Sequence, residues 1–285
     1  MNATLLALTM AASTLTSCVV VTEGIVPSSN YEIKQVQVDS FDGISTSTSI
    51  DVIYTQTSGK QDVEIYAPDN VMEYVKVHVK DGILMVGFHS DDNRGINIKG
   101  KHKTEVRVSA PAVHSLKASS SGDIVLKNGL QTEGKVTVKA SSSGDITGGN
   151  LVCNQLVIGA ASSGDIELEA VGCQQLKADA SSSGDVKIKL LTAEEVNAEA
   201  SSSGDVIISS GRCVKADLSA SSSGDVVAEG LKADYVVASA SSAGDVSCYP
   251  IESLKAKASS AGSVGYRGNP KSIDYSPKKG LHKLD

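Results

Sequence analysis

Hydrophobic and polar residues alternate strictly along the second half of the chain. From Leu176 to Ile188, every second residue is small or apolar, and Lys, Asp and Ser residues stand between them. The stretch from Val196 to Ile208 places small and apolar residues at the same phase. This period of two residues predicts β-strands, because successive side chains of a strand point to opposite faces. A helical repeat needs apolar residues at steps of three and four, and no unit has them.

The alternating units recur at a nearly fixed spacing, marked by a Ser-Ser-Ser-Gly-Asp corner. Successive Gly-Asp pairs are 22 residues apart once, then 20 residues apart five times, and a degenerate copy follows after 18 residues. Such a period is typical of a solenoid, in which each repeat buries its apolar side against its neighbours. We therefore predict an all-β fold, a single-stranded parallel β-solenoid with about 20 residues per coil. We expect the corner glycine to take the unusual backbone angles that the bend requires.

The repeats divide the chain into regions. Residues 116–265 are predicted to form the regular repeats, and residues 31–115, which contain shorter apolar bursts, are predicted to form irregular N-terminal β coils. Asp81-Gly82 predicts a hairpin turn within that region, and the polar stretch from Asp91 to His102 predicts a loop. Residues 266–285 are predicted to form a C-terminal cap or tail. If these residues did not cover the end of the solenoid, its exposed strand edges would permit self-association.

The N-terminal sequence predicts that the protein is located in the cell envelope. An apolar run from Leu5 to Leu15 is too short to span a bilayer, and Leu15-Thr16-Ser17-Cys18 has the spacing of a bacterial lipobox. We predict a lipoprotein signal peptide over residues 1–17, a lipid anchor on Cys18 and a tether over residues 18–30. The pattern departs from an ordinary signal because no Lys or Arg stands in the first ten residues.

The remaining cysteines are predicted to be buried free thiols. Cys153, Cys173 and Cys213 occupy one repeat position, where the other units carry Ala193 and Ala233. A position that alternates Cys with Ala is a small, buried site, and no C-x-x-C pair or nearby His provides the spacing of metal ligands. Cys248 falls at an inward position.

Seven aspartates follow the corner glycines and are the best candidates for chemistry. In-register stacking places them in one column, about 4.8 Å apart, where two bare carboxylates repel each other by roughly 1 kcal/mol in water. Hydrogen bonds from the corner backbone and from serine hydroxyls would compensate this repulsion. The alternative is calcium, because carboxylate, serine and carbonyl oxygens suit that cation. The column comprises Asp123, Asp145, Asp165, Asp185, Asp205, Asp225 and Asp245.

Enzymatic sites are not indicated. A carbohydrate-active β-helix enzyme needs carboxylates that converge in a cleft made by long loops, whereas these units are nearly identical and carry no long insertions. The motifs H-E-x-x-H and G-x-S-x-G are absent. The five histidines stand singly, at His78, His89, His102, His114 and His282.

Four motifs resemble the head GIN domain family of autotransporter adhesins. They are Phe41-Asp42-Gly43-Ile44, Ile50-Asp51-Val52, Asp81-Gly82-Ile83-Leu84 and the repeated Ser-Ser-Gly-Asp-Ile/Val corner. The resemblance covers roughly residues 35 to 265. It implies a β-solenoid of the envelope of Bacteroidetes-like bacteria, often with a lipoprotein signal, and it implies no catalytic residues.

Together these features predict a non-enzymatic, lipid-anchored envelope protein, on the outer membrane and facing the periplasm or the cell surface. Its regular surface would serve adhesion or surface scaffolding, with a glycan or a protein as ligand and without a cofactor. Two alternatives are a calcium-dependent glycan-binding module and a carbohydrate-active enzyme. The net charge of −7, without concentrated Lys or Arg, disfavours nucleic-acid binding.

Overall fold

Strands make up most of the structure, as the alternating pattern predicts. The computed structural model describes residues 24–89, 96–276 and 280–285, so the predicted signal peptide, Cys18 and part of the predicted loop lie outside the described residues. Among those residues, no helix has the length and apolar character that a membrane crossing requires. The elements before the regular repeats are β1 (Tyr31–Gln35), β2 (Gly43–Thr46), β3 (Asp51–Gln56), β4 (Asp62–Pro68), α1 (Asp69–Met72), β5 (Val75–Lys80), β6 (Ile83–Phe88) and β7 (Glu105–Ala110).

The remaining strands belong to the regular repeats and to the C-terminal region. They are β8 (Ser115–Ser119), β9 (Ile124–Leu126), β10 (Leu130–Gln131), β11 (Lys135–Ser141), β12 (Ile146–Val152), β13 (Gln155–Ser162), β14 (Ile166–Gly172), β15 (Gln175–Ser182), β16 (Val186–Thr192), β17 (Glu195–Ser202), β18 (Val206–Ile208), β19 (Gly211–Ala220), β20 (Val226–Ala240), β21 (Asp245–Ala258), β22 (Ser263–Tyr266), β23 (Ser272–Tyr275) and β24 (Leu281–Lys283).

Successive coils stack in parallel and in register, which confirms the predicted β-solenoid. Leu156 lies beside Leu176, and Leu176 lies beside Val196, so the register advances by 20 residues from coil to coil. These inward side chains are almost completely buried, and the buried residues of all coils form one continuous apolar cluster. Ser182 departs from the predicted phase, because the chain turns there and its side chain is exposed.

The serine two residues before each corner glycine, not the glycine, takes the left-handed backbone conformation. Ser182 has φ 62°, and the turn is closed by the Gly184 N–H, which donates to the Ser181 carbonyl oxygen at 3.1 Å. The expectation that the glycine supplies the unusual angle is therefore wrong. The glycine is needed for space: a Cβ at Gly184 would lie 2.6 Å from the Ala161 nitrogen and 2.7 Å from the Gly164 carbonyl oxygen.

The coils at the N-terminal end are stacked out of chain order. β2 lies between β6 and β8, and β3 lies between β7 and β9. The coil that carries β2 and β3 is thus inserted between a later coil and the first regular one. Antiparallel strands finish this end, since β4 pairs with β7, β1 pairs with β4, and β5 pairs with β6. The predicted hairpin turn is confirmed between β5 and β6, where Asp81 and Gly82 both have positive φ.

At the other end, the parallel sheets continue past the last corner. β23 pairs with β21, and β24 pairs with β22. Residues 266–285 thus contribute two short strands that lie over the final full coil.

The close approach at the corner makes the effect of Gly184→Ala predictable. We expect this change to lower the free energy of unfolding by about 1–3 kcal/mol, because the added methyl group must displace the backbone of the neighbouring coil. The matched control is Gly159→Ala in β13, where an added Cβ meets nothing within 4 Å and the change should stay within about 0.5 kcal/mol. Urea denaturation followed by circular dichroism measures both, and equal effects would contradict the packing argument.

Candidate functional site

The seven predicted aspartates form one continuous column, here called the aspartate ladder. Each carboxylate accepts a hydrogen bond from the backbone of the next coil: the Asp145 N–H donates to Asp123 Oδ1 at 2.9 Å, and the Asp165 N–H donates to Asp145 Oδ1 at 2.8 Å. The same bond recurs through Asp245 at 2.8 to 3.1 Å. Backbone N–H groups at the corner therefore compensate the negative charge of the carboxylates. Of the two interpretations, hydrogen bonding and calcium binding, the first expects this arrangement.

The ladder extends beyond the predicted residues at both ends. The Asp123 N–H donates to Asp51 Oδ1 at 3.2 Å. At the other end, the N–H and the hydroxyl of Ser263 both donate to Asp245 Oδ1, at 2.8 and 2.9 Å. Asp51 was missed because it lies 72 residues before its neighbour in the column. The available signal was Ser49-Ile50-Asp51-Val52, which has the order of a corner with Ile in place of Gly.

At two positions of the ladder, Asp205 and Asp51, the surroundings disfavour the charged carboxylate. Burial raises the pKa of Asp205, and the carboxylates of Asp185 and Asp225 raise it further, against the Asp225 N–H, which lowers it. Burial is also the largest cause of the raised pKa of Asp51. The Asp185 carboxylate has a cation nearby, since its Oδ2 lies 3.0 Å from Lys187 Nζ.

No metal-binding geometry is evident in the part of the chain that the structure describes. There, no group of three or more His, Cys, Asp or Glu side chains is arranged to hold a metal ion. Calcium binding by the ladder stays a prediction, and one oxygen of each bridging carboxylate is already engaged by a backbone N–H.

The four cysteines of the repeats are free thiols, as predicted. Cys153, Cys213 and Cys248 are buried, and Cys173 is partly buried. Burial raises the pKa of Cys153 to about 11 and those of the other three to about 12. Because the thiolate is the reactive form, these side chains act as small apolar core residues.

An ion-paired cluster lies near the antiparallel strands at the N-terminal end. Arg107 contacts two carboxylates, with Glu105 Oε1 at 2.6 Å and Glu64 Oε1 at 3.0 Å, and it lies over the Tyr66 ring at 4.8 Å. Burial alone would raise the pKa of Glu105, but hydrogen bonds from Lys103 and Arg107 bring it below its usual value. The positive charges of Lys103 and Arg107 are thus paired with the negative charges of Glu64 and Glu105 within the cluster. Its residues lie outside the repeats, and sequence reasoning missed it because no period brings them together.

A shallow apolar groove lies on the outer face of the sheet that contains β13, β15, β17, β19 and β20. Tyr235 and Val237 are 51% and 42% exposed, and the groove encloses about 520 Å³. Polar side chains beside it are paired across coils, with Gln155 Nε2 donating to Gln175 Oε1 at 3.1 Å and Lys215 Nζ donating to Glu195 Oε1 at 3.1 Å. We call this surface the Tyr235 groove, comprising Val157, Gln175, Glu195, Lys215, Tyr235 and Val237. It combines an exposed aromatic ring with amide and charged groups that can contact a ligand.

The charge on the ladder has a predictable effect on stability. The pKa of Asp205 is raised in the folded state, so its charged form costs stability above that pKa, and the cost disappears as the pH falls through it. Asp205→Asn removes the charge and keeps an oxygen acceptor for the Asp225 N–H. We expect the variant to be more stable than the wild type at pH 7, with a difference that shrinks toward pH 4.

Urea unfolding at both pH values measures this difference. Asp217→Asn, at an exposed outward position of β19, is the control and should change stability little. If the stability gained by Asp205→Asn over the wild type grew toward acid pH, the raised pKa of Asp205 would be refuted.

The solenoid matches solved structures along nearly its whole length. A putative adhesin from Parabacteroides distasonis is 20% identical, with a TM-score of 0.66 over 92% of this chain and 98% of that one. A putative adhesin from Parabacteroides merdae is 17% identical, with a TM-score of 0.64 over 93% and 100%. One from Bacteroides fragilis is 25% identical, with a TM-score of 0.50 over 92% and 97%. No curated protein matches the chain.

The sequence itself matches a family model over most of its length. The matched segments are residues 40–221 and 157–270, and the model is described as "Putative auto-transporter adhesin, head GIN domain". The matched residues include every corner of the solenoid and the whole aspartate ladder. The chain therefore belongs to the head GIN domain family of auto-transporter adhesins.

Proposed function

We propose that this protein is a non-enzymatic, lipid-anchored protein of the bacterial cell envelope that adheres to a surface ligand through the Tyr235 groove. The observation that carries the proposal is the exposed Tyr235 and Val237 pair in the groove on an outer face that five strands keep in register. Membership of an adhesin family supports the same role.

A glycan is the ligand class that the groove fits best. An aromatic ring packs against the apolar faces of a ligand, and the amides of Gln155 and Gln175 can both donate to and accept from hydroxyl groups. Glu195 pairs with Lys215, Lys177 pairs with Asp179, and Lys135 and Asp217 carry opposite charges, so the groove has little net charge and favours a neutral partner. A protein ligand is the other outcome that a binding screen can return.

Catalysis is not favoured by the arrangement of the carboxylates. Those of the aspartate ladder are spread along the column and bonded to the backbone, whereas glycoside hydrolysis needs two carboxyl groups that face one bond. Calcium-dependent binding is also less favoured, because Oδ1 of each bridging aspartate is occupied by the next coil. We therefore expect calcium-independent binding.

The anchor is tested by acyl labelling in a bacterium that processes lipoproteins. We expect the full chain to incorporate labelled palmitate and to enter the membrane fraction, because the thiol of Cys18 carries the lipid. Cys18→Ala should lose the label and leave the membrane fraction almost completely. The control is Cys153→Ala, which removes a buried thiol and should keep the label. A wild-type chain without label would refute the anchor.

Ligand binding is tested on glycan and matrix-protein arrays, with calcium and with chelator. We expect the chain to bind a set of neutral glycans in both conditions, and Tyr235→Ser to weaken binding about tenfold or more, because exposed aromatic anchors dominate such interfaces.

Leu190→Ser is the matched control, since Leu190 is 49% exposed on a different face and should not contribute. Binding to proteins alone would replace the glycan assignment, and binding lost with chelator would support the calcium alternative. An array without reproducible ligands would contradict adhesion and leave surface scaffolding.

A further inference from the structure

The outer edge of β1 is an exposed strand edge at the N-terminal end of the solenoid. Among the strands of the described chain, β1 pairs with β4 alone. All five of its residues are exposed, with Ile33 at 58% and Tyr31 at 39%. An edge of this kind can pair with another strand unless charge or shape prevents it.

The hydrogen bonds around β1 determine which of its backbone groups face outward. The Asp69 N–H donates to the Asn30 carbonyl oxygen at 2.9 Å, and the Val36 N–H donates to the Val63 carbonyl oxygen at 2.9 Å. Antiparallel pairs alternate between bonded and non-bonded residues, so the even-numbered residues of β1 bond to β4. The N–H and C=O groups of Tyr31, Ile33 and Gln35 therefore point to the free edge.

The side chains of this edge complement their own copies. If two β1 strands pair antiparallel about a two-fold axis at Ile33, Glu32 of each copy faces Lys34 of the other, and Tyr31 faces Gln35. The two Ile33 residues meet at the centre, where their outward groups can bond. Registers centred on Glu32 or Lys34 would instead set like charges against each other.

The neighbouring edge has the opposite character. β5 pairs with β6 alone among the described strands, and its exposed residues are Lys76, His78 and Lys80. A register centred on His78 sets Lys76 against Lys80, and registers centred on Val77 or Val79 set a lysine against His78. Lysines on a free edge are a device that prevents such pairing. Self-pairing is therefore blocked at β5 and permitted at β1.

We propose that two copies of this chain associate through antiparallel pairing of their β1 edges, centred on Ile33. The pairing forms about six backbone hydrogen bonds and two Glu32–Lys34 ion pairs. Because the pairing involves only one five-residue strand from each copy, the dimer is weak and forms only at high protein concentration. This association goes beyond ligand adhesion and does not depend on it.

Charge exchange at the edge tests the register. Sedimentation velocity of the full chain over a wide concentration range should show wild-type dimers. Glu32→Lys alone and Lys34→Glu alone should each weaken the dimer about tenfold, because each places two like-charged pairs across the axis. An equimolar mixture of the two variants should associate about as well as the wild type, since every cross-strand pair is then of opposite charge.

The mixture also shows that both variants fold, so loss of association cannot be attributed to unfolding. Lys139→Glu, at an exposed position of β11 far from both free edges, is the control and should leave the wild-type dimer unchanged. A wild type that stays monomeric at every concentration would overturn the proposal. Single variants that dimerise like the wild type, or a mixture that fails to recover, would overturn it as well.

Discussion

The direct stacking of one corner on the next is the contact on which the rest of the structure depends. The backbone of the neighbouring coil occupies the space that a Cβ of Gly184 would need, so only glycine permits the approach. Once the corners are in contact, the register of each coil is fixed. Ala160, Ala180 and Ala200 then lie over one another, and a shift by one residue would turn every inward side chain outward.

The same contact creates a column of like charges and also stabilises it. The Val186 N–H already donates to the Asp205 carbonyl oxygen, and the Asp205 N–H has the Asp185 carboxylate as its acceptor. A hydrogen bond to a charged group contributes about 1.5–3 kcal/mol, which offsets part of the cost of burial and of repulsion between neighbouring carboxylates, although the pKa of Asp205 is still raised. A structural role alone is therefore sufficient to account for an aspartate at every corner.

The regular coils could be predicted from the sequence because their strand pattern and period are local properties. The inward positions of Leu176, Ala178 and Val186 follow from alternation alone, and all three are buried. Asp51 could not be placed in the column, because its coil is inserted beside residues far away in the chain. The left-handed serine was missed because steric propensity favours glycine at such angles, whereas here the glycine is required by the neighbouring backbone. The Tyr235 groove was missed because its residues differ from coil to coil.

The solenoid separates two kinds of surface that need not interfere. The Tyr235 groove lies on a lateral face and is formed by strands of the regular repeats, whereas the β1 edge lies at the end of the stack beyond β7 and β4. A pairing of β1 edges would join two stacks end to end and leave both grooves uncovered. Two linked sites can raise overall affinity by about 10²–10⁴ without any new contact. A weak end-to-end dimer would thus strengthen adhesion to a repetitive surface, because each copy needs to provide only a modest affinity.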